Sequence, residues 1–296
     1  MMKTTTKILF ALAFFFASSL LLSCEKENTP ENSAMDNYRS GPINDAAGPF
    51  QTFDYLPNIE HSAVFEVRLP NVTGGVNQVP LLARLRDQFS PTWKPSQVTE
   101  LSFFANAIDK NDEGLIDSSA HWNWYEINQI AREPHREVTI YNQFTQLIDT
   151  MVIGQPQYLL VPATKNGQGD ASSLDHYKCY EVLRAREEQR RAKLMDPCYG
   201  TDSVTVTTPL LFCPPCGKWL PGREPELIQN PVDHLTVYDI DNERIADYIT
   251  TTDQFGIRGQ LVLERDYLTV PTRKFSFRTL GVPDDGNDGP NDFDRD

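Results

Sequence analysis

Histidine recurs in this sequence at a fixed distance from an acidic residue. Four copies read His61 to Glu66, His121 to Glu126, His176 to Glu181 and His234 to Asp239. A histidine near a carboxylate can move protons or bind a metal ion. Within its own copy, no histidine has a second His or Cys at a convincing metal-ligand spacing, so the sequence predicts no metal and no cofactor.

The residues around each pair predict a strand. An aromatic residue precedes each acid, and a β-branched residue follows it. Side chains of a strand alternate between two faces, so the histidine and the aromatic share one face and the acid takes the other. We expect the histidines on the buried face, hydrogen-bonded to a backbone group or to the side chain of a recurring Gln-Phe motif. Four histidines that bind metal or handle protons are the alternative.

Two further motifs recur in the same order, which makes the chain a fourfold repeat of about 55 residues. Asp87-Gln88-Phe89, Asn142-Gln143-Phe144 and Asp253-Gln254-Phe255 form the second motif. The third copy lacks it, and its charged stretch near 183–194 predicts a short inserted helix. The third motif closes each copy at a lysine: Lys110, Lys165, Lys218 and Lys274.

The intervening segments read as short strands bounded by turn residues. The sequence therefore predicts an all-β fold of four tandem repeats packed as β-barrel or sandwich units, with a small closed propeller as the alternative. The predicted boundaries are 49–118, 119–170, 171–230 and 231–282. A disordered tether precedes the repeats at 24–48, and a disordered acidic tail follows them at 283–296.

The amino terminus predicts that the protein is exported to the cell envelope. Residues 1–23 have the basic start and short apolar stretch of a signal peptide, and that stretch is too short to span a bilayer. Its end, Leu21-Leu22-Ser23-Cys24, resembles the lipobox of bacterial lipoproteins. That resemblance implies lipidation of Cys24 and anchoring in the outer membrane, facing the periplasm or the surface. The charged run Glu25-Lys26-Glu27 is either a surface-export signal or a solvated part of the tether.

The net charge of −14 makes nucleic-acid binding improbable, because such a surface repels phosphate backbones. The sequence contains no GxSxG, HExxH, GxxxxGK[ST] or GxGxxG motif. Trp122 and Trp124 share a strand face and either stack on sugar rings or pack between repeats. Trp93 and Trp219, in loop-like contexts, are weaker candidates for ligand contacts.

Four cysteines besides Cys24 lie in an oxidising compartment, where disulfides are the default. Cys213 and Cys216 have the CxxC spacing of redox sites, but the Gly217-Lys218-Trp219 segment that follows is unsuited to the helix such sites open. A zinc site of four cysteines is a further alternative, although only one close pair exists.

The strings DHYKCYEV at 175–182, NQF at 142–144, DQF at 253–255 and LLVPATK at 159–165 resemble an uncharacterised repeat domain of secreted bacterial proteins. The resemblance covers roughly 120–277 and implies a β-rich extracellular module without known activity. In that family the cysteine of His-Tyr-Lys-Cys-Tyr occurs with one in the closing strand. This implies a disulfide between Cys179 and Cys213, and leaves Cys198 to pair with Cys216.

Taken together, the sequence predicts a non-catalytic, envelope-anchored β-repeat module for adhesion, scaffolding or ligand capture. Its partners are the membrane, through the lipid, and an envelope protein or glycan. Surface glycan binding through Trp122 and Trp124 is one alternative. An envelope glycan hydrolase is the other, and a cleft holding a carboxylate pair with a raised pKa would favour it.

Overall fold

The computed structural model describes residues 59–70, 81–145 and 147–281, without the side chain of Asn242. These residues are nearly all β, which confirms the predicted class. The strands are β1 His61–Arg68, β2 Leu81–Arg86, β3 Lys94–Lys110, β4 His121–Gln129, β5 His135–Tyr141, β6 Asp149–Pro162, β7 Thr164–Lys165, β8 His176–Arg184, β9 Arg190–Asp196, β10 Gly200–Cys213, β11 Pro215–Trp219, β12 His234–Asp253 and β13 Gly256–Gly281, and a short 3₁₀ turn spans Ala171–Ser173.

Several predicted segments lie outside the described residues: the signal peptide, Cys24, the tether and the acidic tail. In the part of the chain that the structure describes, no helix has the length and apolar character needed to cross a membrane.

Eight strands close into a ring in the order β1, β3, β4, β6, β8, β10, β12, β13 and back to β1, and every neighbouring pair is antiparallel. Each predicted repeat supplies two neighbouring strands of this ring. All thirteen strands belong to one sheet. A propeller divides its strands among separate blades, so the propeller alternative is wrong.

The interior of the ring is a continuous apolar core. One cluster of buried side chains draws on every ring strand but β13, and Tyr267 of β13 packs against it. Strands on opposite sides of a closed ring can meet only inside it, so this cluster fills the interior. Trp122 and Trp124 of β4 and Tyr177 of β8 are its largest buried members.

Further strands form an outer layer over the ring. Strand β2 lies between β3 and β11, β5 between β6 and β13, and β9 between β10 and β3. Because this layer covers the outer face of the ring, the first five residues of β1, β4 and β8 are buried on both faces. This double burial explains why apolar side chains occupy both faces of those segments rather than one.

The inserted helix predicted near 183–194 is absent, and that prediction was wrong. Strand β8 runs to Arg184, and β9 begins at Arg190. Along β9, Ala192, Leu194 and Asp196 are buried while the residues between them are exposed. Burial therefore alternates with the period of a strand, a pattern that the high charge of the segment concealed.

Candidate functional site

A tight turn follows the second strand of each repeat and is built on one Asp or Asn side chain. Asp87 Oδ1 accepts hydrogen bonds from the backbone N–H of Phe89 and Ser90, both at 2.8 Å. Asn142 Oδ1 accepts one from Phe144 at 2.9 Å. These bonds let the side chain replace a backbone acceptor, as short polar side chains do in turns.

The third repeat has the same turn although its sequence lacks the Asx-Gln-Phe string. Asp196 Oδ1 accepts hydrogen bonds from the backbone N–H of Cys198 at 2.7 Å and of Tyr199 at 3.2 Å. Here the motif reads Asp196-Pro197-Cys198-Tyr199, with the aromatic residue shifted by one position. The aspartate was the signal in the sequence, and the missing Gln-Phe hid it.

Each histidine of the first motif is buried, as predicted, and lies beside the closing lysine of its own repeat. In the third repeat the Lys218 ammonium donates to His176 Nε2 at 2.7 Å. Gln254, from the turn of the fourth repeat, contacts the same ring nitrogen at 2.6 Å. A lysine ammonium can only donate, so Nε2 of His176 is the acceptor and the ring is neutral.

The same arrangement recurs around the ring. Gln88 of the first repeat hydrogen-bonds His234 of the fourth. Gln143 of the second repeat lies beside His61 of the first, whose Nε2 is buried without a hydrogen-bond partner. We term each such set a clasp. A clasp consists of one histidine, the closing lysine of the same repeat and the Asx turn of the next repeat. Four clasps join each repeat to its neighbour and the last repeat to the first.

The clasp of the second repeat differs because the covering turn has no glutamine. Instead, Lys165 Nζ lies 3.1 Å from Cys198 Sγ. His121 packs against the Phe104 ring at 5.6 Å, and its Nδ1 is buried without a hydrogen-bond partner.

Burial keeps the clasp histidines neutral. Desolvation, with a smaller effect from the neighbouring lysine, lowers the pKa of His61 and of His121 to about 3. Desolvation lowers the pKa of His234 to about 4, and it depresses that of His176 in the same direction. A histidine whose pKa is this far below neutral holds no exchangeable charge at pH 7. These groups are therefore poorly suited to transfer protons to a substrate.

The turns also reach across to the repeat on the opposite side. The turn aromatic meets the aromatic of the first motif edge-on in four pairs, with centroids 5.0–5.4 Å apart: Phe89 with Tyr180, Phe144 with Tyr238, Phe255 with Tyr125, and Tyr199 with Phe65. In three pairs the tyrosine hydroxyl also bonds the Asx side chain, as Tyr180 does with Asp87 Oδ2 at 2.7 Å. The first repeat carries Phe65, and Asn106 supplies the missing donor to Asp196 at 3.0 Å.

A buried ion cluster lies beside the turn of the first repeat. Lys178 Nζ is 2.5 Å from Glu133 Oε1 and 3.6 Å from Asp87 Oδ2, and all three side chains are fully buried. Arg136 approaches the other oxygen of Glu133 at 3.0 Å. Burial alone would raise the pKa of Glu133, but Lys178 and the surrounding donors lower it to about 2. The sequence motifs gave no sign of Glu133, because it belongs to no repeated string.

The cysteines are paired only in part as predicted. Cys179 and Cys213 form a disulfide inside the ring. Cys198 and Cys216 form no disulfide, so that predicted pair is wrong. Cys198 is held at Lys165, whereas Cys216 is buried on β11 opposite His176 of β8. The disulfide also takes Cys213 out of the CxxC pair, and burial raises the pKa of the Cys216 thiol.

Trp122 and Trp124 are 2% and 0% exposed, so the prediction that they contact a sugar is wrong. Both are interior side chains. Trp122 Nε1 donates to the Asp175 carbonyl at 3.1 Å, and Trp124 packs against Phe103 and Tyr158.

Acidic side chains gather where the ring interior meets solvent. Carboxylate oxygens of Glu66, Glu264 and Asp266 all lie within 4.8 Å of one another. These three residues are termed the acidic mouth. Tyr267, next to Asp266 in the sequence, packs against the interior core, so the acidic mouth lies at the end of that core. Desolvation and then the neighbouring carboxylates raise the pKa of Asp266 to about 6. Spacing in the sequence could not select Glu264 and Asp266, since neither belongs to a repeated motif.

The exposed aromatic candidates lie on the outer layer. Trp93 and Trp219 are partly exposed, and their rings meet edge-on at 6.0 Å. Arg86 stacks over Trp93 at 4.5 Å, and Arg84 over Trp219 at 5.4 Å. These four residues, which come from β2, β11 and the segment before β3, are termed the Trp–Arg face.

Comparison with known proteins agrees with the repeat found in the sequence. A family model described as "Repeat of unknown function (DUF7450)" matches residues 121–271. No curated protein and no solved structure matches the chain significantly. The match begins at the histidine of the second repeat and ends within the closing segment of the fourth, next to the last clasp lysine. Since it covers just over half of the sequence, this chain belongs to the DUF7450 family of repeats of unknown function.

Proposed function

We propose that this protein is an envelope-anchored lipoprotein whose ring is a non-catalytic module for adhesion, scaffolding or ligand capture. The clasp is the observation that carries the proposal. The four histidines, the closing lysines of the first three repeats and the Asx side chains are buried, Lys274 is half-buried, and the contacts of these groups are with other protein atoms. A general acid or base must come within hydrogen-bonding reach of its substrate. The repeated polar residues therefore support a structural role.

The anchor is proposed from the sequence: the short apolar stretch ends at a lipobox-like Leu21-Leu22-Ser23-Cys24. More than one acyl chain on Cys24 would hold the ring stably at the membrane. The net charge of −14 supports partners other than nucleic acid, namely envelope proteins or glycans.

The anchor is tested with the full chain in a Gram-negative host that is fed labelled palmitate. The protein should take up label and sediment with the outer membrane, and Cys24→Ser should lose both properties. Substitution of Cys198 by Ser is the matched control and should change neither. Label or membrane attachment retained by Cys24→Ser would contradict the proposal.

One observation favours a second candidate, an envelope glycan hydrolase. Asp266, whose pKa is raised to about 6, lies among the carboxylates of Glu66 and Glu264. A carboxyl group with a pKa near neutrality next to an ionised one is the arrangement that glycosidases use.

The hydrolase is tested by incubating the purified chain with envelope polysaccharides and measuring new reducing ends. The proposed binding module should release none above the level of the Asp266→Asn variant. Release by the wild-type chain that Asp266→Asn and Glu66→Gln abolish would establish the hydrolase and overturn the non-catalytic proposal.

A further inference from the structure

We infer that the Trp–Arg face binds an anionic polysaccharide, one whose sugars carry carboxylate or sulfate groups. The inference rests on the proposed binding function and names the ligand class and the surface.

The fold does not explain the two tryptophans. Neither Trp93 nor Trp219 belongs to one of the three repeated motifs, and neither lies in the buried clusters of the ring. Gly217 lets the Trp93 ring lie against β11, since a Cβ at that position would be 3.2 Å from Trp93 Cη2. The pair of indoles is thus held in place on a sheet and remains partly open to solvent.

The arginines of this face are cations without an acidic partner. Arg84 and Arg86 point outward on β2, while Ala83 and Leu85 between and beside them are buried. Among the described residues neither arginine forms an ion pair, although the protein as a whole carries a net charge of −14.

The backbone of one acidic residue, Glu226, lies against Gly217 of this face, but its carboxylate is directed elsewhere, 3.5 Å from Lys218 Nζ and 3.6 Å from His176 Nε2. The Trp–Arg face thus carries two arginines that form no ion pair among the described residues, and their charge complements an anion.

The two side-chain types together select the ligand chemistry. Indole rings offer apolar faces on which the C–H faces of sugars can stack. The planar guanidinium group donates two parallel hydrogen bonds to a carboxylate or sulfate. Arg84 and Arg86 lie two residues apart on one face of a strand, roughly 7 Å along it, so they can engage successive charges of a polymer.

The test measures binding of the full chain to polygalacturonate, chondroitin sulfate and neutral dextran by affinity electrophoresis at low salt. We expect retardation by the two charged polymers, weakening as salt is raised, and none by dextran. The double variant Arg84→Ala/Arg86→Ala should bind at least about tenfold more weakly, since it removes the charge-assisted hydrogen bonds to the polymer. Trp93→Phe/Trp219→Phe should weaken binding while keeping an aromatic ring for the fold.

The matched control is Arg68→Ala/Arg244→Ala, which removes the same charge from exposed positions on β1 and β12. This pair should bind as the wild-type chain does. Equal weakening in the control pair, or equal retardation by dextran, would overturn the inference. Absence of binding by a folded wild-type chain would also overturn it, yet would leave a protein-binding module intact. Cleavage of a polymer would instead overturn the non-catalytic proposal.

Discussion

At the scale of single residues, the structure separates polar groups that hold the fold from those that face solvent. Histidines at the first motif were correctly placed on a buried face, because the alternation of a strand follows directly from the sequence. A partner from the Gln-Phe motif was one of the two predicted possibilities, and it is confirmed for His176 and His234. Which repeat supplies each glutamine could not be predicted, since these bonds join residues from different repeats. Trp122 and Trp124 are packed inside the protein, in line with the second of the two predicted alternatives, because closure of the ring turns both faces of β4 into core.

The buried ion cluster leads to a prediction about Lys178. Replacing it with Met leaves the buried Asp87 carboxylate without its cation and Glu133 with Arg136 and Lys94, and loss of one partner from a buried pair costs about 3–5 kcal/mol. Urea unfolding should show this loss of free energy of unfolding. The control Lys193→Met removes an exposed pair with Asp112 and should cost under about 1 kcal/mol. Similar losses in both variants would refute the structural role of the cluster.

The acidic mouth leads to a prediction about Asp266. Its pKa in the folded protein, about 6, lies above the ordinary aspartate value of 3.8, so its ionisation destabilises the fold as pH rises between those values. Asp266→Asn removes this effect and should raise Tm at pH 7.5 by about 1–3 °C, a modest gain because the group is half exposed. The gain should vanish at pH 4. A lower Tm at pH 7.5 would show that the carboxylate has a partner that stabilises it.

At the scale of elements, each clasp brings together three elements. They are the first residue of one strand, which is the histidine, the closing segment of the same repeat, which carries the lysine, and the Asx turn of the next repeat. Three of these turns were visible in the sequence as Asx-Gln-Phe strings, and the fourth appeared only when the hydrogen bonds of Asp196 were seen. Strand β9 was mistaken for a helix because the segment is rich in Arg and Glu, although Ala192 and Leu194 alternate with the exposed Arg191 and Lys193 as in a strand. The residue types of these two segments concealed the turn and the strand, which the positions of the turn aspartate and of the buried residues reveal.

The clasp histidines lead to a prediction about pH. Their folded-state pKa is lowered, so the unfolded chain takes up protons below pH 6.5 while the folded chain does not until about pH 3–4. Stability is therefore full above pH 6.5 and falls as pH drops through this window. Replacing His121 with Phe should reduce the slope of unfolding free energy against pH, between pH 6 and 4.5, by about 1.4 kcal/mol per pH unit.

The control for this measurement is His135→Phe on β5, outside the clasps and partly exposed. Its slope should stay closer to that of the wild-type chain. An unchanged slope in His121→Phe would mean that His121 is not held neutral by burial, and the clasp account of that repeat would fail.

At the scale of the whole molecule, four repeats were predicted from the sequence, but not the way they join. The all-β class followed from strand patterns, whereas the closed ring depends on pairings between distant residues, such as β1 with β13. No local pattern encodes such a pairing. The same closure brings each turn to the histidine of the preceding repeat and the aromatic of the opposite one, so the clasps make every repeat depend on the others.

Native-state hydrogen exchange of the full chain tests most directly whether the repeated polar residues serve to close the ring. The clasps predict that the most protected amides of all eight ring strands exchange through one opening, with a free energy equal to that of global unfolding by urea. In the Gln254→Ala variant, protection should fall together in every repeat. If the fourth repeat alone lost protection, or if the repeats exchanged with separate free energies in the wild-type chain, the clasps would not unite the ring.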